Sequence, residues 1–196
     1  MKKIILSILV SCSALIAFPQ SFMHGAGVTI MVGTASGGKA SVSGGLTYSP
    51  RFNFMETESL SLSVGVPLSV GINGSYSYSS YGGEENTIGF LFNAPLMLNL
   101  NLGAGSTKDN ESRFGFFVGG GFGYHHSDFN IDTYDQYGYE VENSESINTF
   151  GPAGNAGFRI AVGSHQKSIE VRFSYMKGLE AVYKPNIFGV AALFNF

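Results

Sequence analysis

Between Leu60 and Leu102 the chain carries two runs in which apolar and polar positions alternate in one phase. From Leu60 to Ile72 every even position is apolar (Leu60, Leu62, Val64, Val66, Leu68, Val70, Ile72), while the odd ones are Ser, Gly or Pro. From Ile88 to Leu102 the even positions are again apolar, with Leu91 and Met97 as exceptions in the odd phase. A period of two is the signature of β-strands, whose successive side chains point to opposite faces. Thirteen residues of strand extend roughly 43 Å, far beyond the ~5–6 residues usual in soluble sheets. A tilted strand that crosses a bilayer needs only ~9–11 residues, so the pair reads as a hairpin built to span one.

Six further alternating segments can be read: His24–Ala35, Ser41–Phe54, Arg113–His126, Ile147–Gly163, Ser168–Met176 and Asn186–Phe196. Together the eight predict an all-β chain, an eight-stranded antiparallel up-and-down transmembrane β-barrel. Charge decides which phase meets lipid. Arg51, Arg159, Glu170 and Arg172 all fall in the small, polar phase and none in the apolar one. A charge on the lipid face near mid-membrane costs ~2–4 kcal/mol, so the apolar phase is expected outside and the four charges inside. A lumen of eight strands has room for little beyond packed side chains, and buried ions must pair. Glu170 is therefore expected to pair with Arg172, Arg159 or Arg51 across the lumen, as a charge network.

Connection lengths support the same topology. With a periplasmic N-terminus, the outer connections fall near Ser36–Ala40, Asn73–Thr87, Ser127–Ser146 and Lys177–Pro185. The periplasmic turns fall near Met55–Glu58, Ala104–Ser112 and Ser164–Lys167, giving the long-outside, short-inside pattern of membrane barrels, except that the first outer connection is short and the middle turn is long. Pro67 and Pro95 sit in the polar phase and predict local kinks, because proline cannot donate to a ladder.

Residues 1–20 stand apart. Lys2 and Lys3 precede an apolar run from Ile4 to Phe18, and Pro19-Gln20 follows, which reads as a cleaved secretory signal. Cleavage is expected after Gln20, with Ala17 as the alternative, leaving residues 21–196 as the barrel. Leu9-Val10-Ser11-Cys12 has the form of a lipoprotein box, but the apolar run continues past Cys12 to Phe18, which argues against lipidation. Loss of the first twenty residues leaves nine basic and fourteen acidic residues, a balance unsuited to nucleic acid. Charged residues are only 13% of the chain and glycines number 27. Both fit an apolar surface spread over many strands around a narrow lumen.

The terminal Phe196, with Phe194 and Phe188 in phase, is similar to the C-terminal signal read by the barrel-assembly machinery. Gly178 after Phe173-Ser174-Tyr175-Met176-Lys177, and Asn93-Ala94-Pro95-Leu96 before an apolar run, carry the same likeness. On these residues the whole mature chain resembles the small outer-membrane β-barrel proteins of Gram-negative bacteria, in particular the barrel-domain proteins common in Bacteroidetes. The resemblance implies residence in the outer membrane, contact with lipid and lipopolysaccharide, and dependence on the assembly machinery during biogenesis. It says little about function, since one scaffold hosts many roles.

Three features bear on chemistry. His125-x-Ser127 with Glu140 downstream looks like the His-x-Ser plus Glu arrangement of outer-membrane lipid A deacylases, in which a base activates a serine. Here, however, Asp128 stands where that family has Asn, and His125 and Ser127 share the lumen phase. Asp128-x-Asn130-x-Asp132 begins like a calcium loop, but Thr133 and Tyr139 replace the turn glycine and the bidentate Glu. The outer stretches are rich in Tyr with Ser and Gly (Tyr76, Tyr78, Tyr81, Tyr134, Tyr137, Tyr139), a composition of adaptable contact loops.

The sequence therefore predicts a monomeric integral outer-membrane barrel with a side-chain-filled lumen, no cofactor, no metal and no enzymatic activity. Its role is expected to be envelope-structural or surface contact through 73–87 and 127–146. The alternatives are a lipid-modifying barrel using His125, Ser127 and Glu140, and a soluble lipocalin-like carrier with the apolar phase turned inward.

Overall fold

The structure, a computed structural model, describes residues 21–34, 40–79, 83–134, 140–163, 167–179 and 184–196. The proposed signal segment, Cys12 and most of the first outer connection lie outside these residues. The described chain forms nine strands: β1 (Ser21–Thr34), β2 (Ser41–Phe54), β3 (Leu60–Gly65), β4 (Leu68–Ser79), β5 (Gly83–Gly103), β6 (Phe114–Tyr134), β7 (Glu140–Ala161), β8 (Ser168–Lys177) and β9 (Asn186–Asn195). All pairings are antiparallel, and β1 closes on β9 from Gly25↔Asn195 to Thr34↔Asn186. β3 and β4 occupy one place in the wall, between β2 and β5, so the ring has eight positions.

The split between β3 and β4 is the kink expected at Pro67. Pairing with β5 stops at Gly65↔Met97 and resumes at Ser69↔Asn93. That register sets Pro67 opposite Pro95, and two prolines facing each other leave that point of the wall without either N–H donor. Pro95 was expected to kink its own strand as well, but β5 runs through it, held by Gly123 of β6 on its other side.

Paired residues can be followed round the ring from Leu102 to Phe116, Phe158, Val171, Ala192, Val28, Leu46, Val70 and Phe92. The path returns to β5 ten residues from its start, and that stagger with eight strands sets a tilt of about 35–45°. Every residue on the path is apolar and belongs to the outward phase. Val28, Leu46, Phe116 and Phe173 are each more than half exposed. Such a surface is stable only against acyl chains, and closure leaves no strand edge in the hydrocarbon. The soluble alternative requires these residues inside and is corrected by their placement on the outer wall.

The outer connections differ from the sequence reading. Asn73–Thr87 is mostly ladder: β4 and β5 stay paired to Ser79↔Gly83. Ser127–Ser146 is likewise an extension of β6 and β7, paired to Tyr134↔Glu140. Backbone pairing needs no apolar face, so a fall in hydrophobicity does not by itself end a ladder.

Candidate functional site

Among the described residues the buried polar side chains concentrate in the lumen, which is layered. β7 and β8 set Arg159 directly opposite Glu170, and the two-residue period of β8 puts Arg172 on the same face. β2 brings Arg51 from across the barrel. Glu170 lies 2.6 Å from Nε of Arg159, 2.5 Å from Nη2 of Arg172 and 3.4 Å from Nη1 of Arg51. All four residues are buried, Glu170 completely. The structure thus brings the four predicted network residues into one cluster in which three guanidiniums share one carboxylate.

Neutral groups complete the coordination. Asn195 accepts from Arg51 at 3.2 Å and donates to Glu170 at 3.3 Å, Asn101 accepts from Arg159 at 3.0 Å, and Ser49 accepts from Arg172 at 2.9 Å. Among the described side chains of β6, Phe117 is the one phenylalanine or tyrosine that is buried, with the Arg159 guanidinium 4.4 Å from its ring centre and that of Arg172 5.6 Å away. A cation over an aromatic face is stabilised by the ring quadrupole, so Phe117 spreads part of the excess positive charge. Gly157 makes room for it, since a Cβ there would stand 2.5 Å from the ring.

The turn after β5 closes the periplasmic end. Gly103 and Gly105 have φ of +69° and +72°, a conformation glycine adopts at little cost, and they fold Ala104–Thr107 into the barrel mouth, where Ala104 and Ser106 are buried. The Gly105 carbonyl accepts from Arg51 and Arg159, both at 3.4 Å. The Ser106 carbonyl accepts from Asn53 at 2.8 Å and Ser61 at 2.5 Å. The unusual length of this periplasmic turn, visible in the sequence, is what lets it act as a plug.

Toward the outer side the lumen turns apolar. Met31, Leu91, Met176 and Ile187 form a buried cluster with Ala153 against it, and Met97 is buried in the same phase. Leu91 and Met97, the two exceptions to the alternation, are therefore lumen filling. Between this cluster and Arg172 lies a cavity of about 40 Å³ lined in part by Thr29, Thr47, Ser69, Asn93, Asn155 and Arg172.

The histidine–serine motif is not assembled as a triad. His125 is buried and its Nδ1 lies 3.2 Å from Oδ1 of Asn93, whereas the Ser127 hydroxyl accepts from Asn73 at 2.9 Å. Glu140 pairs with Tyr134, seven positions up the ladder from Ser127, roughly 23 Å along the strand. The start of the calcium-like stretch is extended ladder too, with Asp128 opposite Ser146 and Asp132 opposite Glu142. Asp128 receives hydrogen bonds from the Phe90 amide at 3.0 Å and from the Ser146 hydroxyl. Phe188, Phe194 and Phe196 all stand exposed on the outer wall.

Sequence reasoning missed Phe117, Asn101, Asn195 and the inward turn. Within Arg113–His126 a single phenylalanine in the polar phase was the available signal for Phe117. The carbonyl acceptors of the turn have no side-chain signature.

The profile of the family described as outer membrane protein beta-barrel domain matches residues 4–196. No curated protein matches the chain in sequence. Among solved structures, Ail, the attachment invasion locus protein of Yersinia pestis, was determined alone and in complex with the heparin analogue sucrose octasulfate. It is similar at 12% identity, with 90% of this chain and 98% of that one covered and a TM-score of 0.52. Neisserial surface protein A is similar at 14% identity, with 90% and 97% covered and a TM-score of 0.50. At such identities these likenesses speak for the fold alone, and the family match carries the assignment: the chain belongs to the outer membrane protein beta-barrel domain family and resides in the bacterial outer membrane, its apolar wall in the lipid bilayer.

Proposed function

We propose that this barrel is a closed, non-enzymatic anchor that presents two outer hairpins, 73–87 and 127–146, for surface contact or envelope organisation. The observation that carries the reading is the contrast between lumen and hairpins. The lumen is filled by the charge cluster, the apolar layer and the plugging turn. β6 and β7 stay paired over 21 residue pairs, about twice the ~9–11 residues needed to cross the membrane. A conduit would invest in the lumen, whereas this chain extends the ladder outward. The separate partners of His125 and Ser127, and the remoteness of Glu140, support a role without lipid-modifying catalysis.

The chemistry of the contact follows from charge. The 127–146 hairpin carries Asp128, Asp132, Asp135, Glu140, Glu142 and Glu145 with no Lys or Arg. It repels polyanions of the kind seen bound to Ail, and favours cationic surfaces or divalent-cation bridges to lipopolysaccharide phosphates. The barrel works as a monomer inserted by the assembly machinery, with Phe188, Phe194 and Phe196 as the strand signal it reads. The test is a pair of variants in which 75–86 or 129–145 is replaced by a short Gly-Asn turn. The barrel is expected to keep its heat-modifiable gel mobility and lose cell-surface binding or envelope integrity under divalent-cation depletion. Unchanged behaviour in both assays, with both hairpins removed, would refute the reading.

A further inference from the structure

We infer that the lumen holds a small monovalent inorganic anion, a halide, in the cavity beside Arg172. The charge count is the first ground. Three buried guanidiniums meet one carboxylate, arginine keeps its proton in proteins, and the remaining acceptors around the cluster are neutral amides, hydroxyls and carbonyls. Among the described residues two positive charges are thus left without a counter-ion in a low-dielectric interior, where an unpaired ion is costly.

The cavity is the second ground. Arg172 is the one arginine of the cluster that lines it, and this residue spends Nε and Nη2 on Glu170 and Ser49. The Thr47 hydroxyl accepts from Ser69 at 3.1 Å, which leaves its own proton to donate. Asn93 engages His125 through Oδ1, which leaves its amide N–H groups to donate. Asn155, whose Oδ1 is buried without a partner, presents donors when its amide turns over. A guanidinium, a hydroxyl and side-chain amides, backed by Met31, Met97 and Met176, make a lining of donors and polarizable sulfur. A volume of about 40 Å³ exceeds the ~10–15 Å³ that one water needs. It admits a halide with little hydration and excludes a phosphorylated or organic anion.

The test uses the folded full barrel in detergent. Bromide is titrated at constant ionic strength against gluconate, which is too large for the cavity, and the thermal unfolding midpoint is read by gel mobility. Crystals grown in bromide are examined for anomalous scattering. A saturable rise of the midpoint with bromide, a peak within hydrogen-bonding distance of Arg172, and an apparent affinity about tenfold weaker in Thr47→Val are expected, the loss of one hydrogen bond to a charged group. Arg172→Met should abolish the peak. If that variant does not fold, Thr47→Val, which keeps every charge, decides alone. Equal response to bromide and gluconate, an affinity unchanged in Thr47→Val, or no peak in the cavity would each overturn the inference.

Discussion

Replacing Glu170 by Gln removes the sole negative charge from a cluster of three guanidiniums while keeping the size of the side chain. The contacts at 2.5, 2.6 and 3.4 Å would turn from charge-paired to charge–dipole, and three positive charges would face one another in a site closed to water. Removing one member of a buried ion pair typically costs ~3–5 kcal/mol, a large share of the ~5–15 kcal/mol that holds a domain folded. Arg51→Met supplies the internal comparison. It breaks the longest of the three contacts and also removes one of the two excess charges, so its cost is expected on the order of 1–2 kcal/mol. Urea unfolding in lipid vesicles, followed by the gel mobility of unboiled samples, measures both. Glu170→Gln is expected to lose several times the stability lost by Arg51→Met. If Arg51→Met proved as damaging as Glu170→Gln, the description of an over-positive cluster organised by one carboxylate would be wrong.

Other perturbations test separate parts of the structure. Gly105→Ala forces a Cβ onto a φ of +72° and to 3.1 Å from Cδ of Arg159, and is expected to cost ~1–2 kcal/mol, read as a lower urea midpoint. Gly157→Ala places its methyl 2.3 Å from the Val171 carbonyl oxygen and 2.5 Å from the Phe117 ring and should cost ~1–3 kcal/mol through overpacking. Pairing it with Phe117→Leu should recover part of that loss. Pro67→Thr combined with Pro95→Thr returns two donors to the break in the wall and is expected to stabilise the barrel by ~0.5–1.5 kcal/mol per hydrogen bond gained. Hydrogen-exchange protection at both new amides would show those bonds directly.

The wall of this barrel was legible from alternation because lipid and lumen impose opposite demands on neighbouring residues, and a single slip would expose Arg159 or Arg172 to acyl chains. The same logic singled out Arg51, Arg159, Glu170 and Arg172, since their phase left them nowhere else to go. Three features escaped it for physical reasons. Leu91 and Met97 broke the pattern because part of the lumen is apolar, and Phe117 because it lies against two guanidiniums; periodicity cannot tell a lumen filler from an error of register. The turn at Gly103–Thr107 acts through backbone carbonyls, which every residue carries. The outer hairpins looked like loops because backbone pairing itself places no constraint on hydrophobicity.

Every other feature of this barrel depends on which way each side chain points, and two adjacent phenylalanines report that orientation. Phe116 is 60% exposed on the outer wall, while Phe117 is 3% exposed beneath Arg159. The chain has no tryptophan, so Phe116→Trp and Phe117→Trp each introduce a single fluorophore. In vesicles with brominated acyl chains, strong quenching is expected for the tryptophan at 116 and little for the one at 117. Strong quenching at 117 with none at 116 would contradict the account.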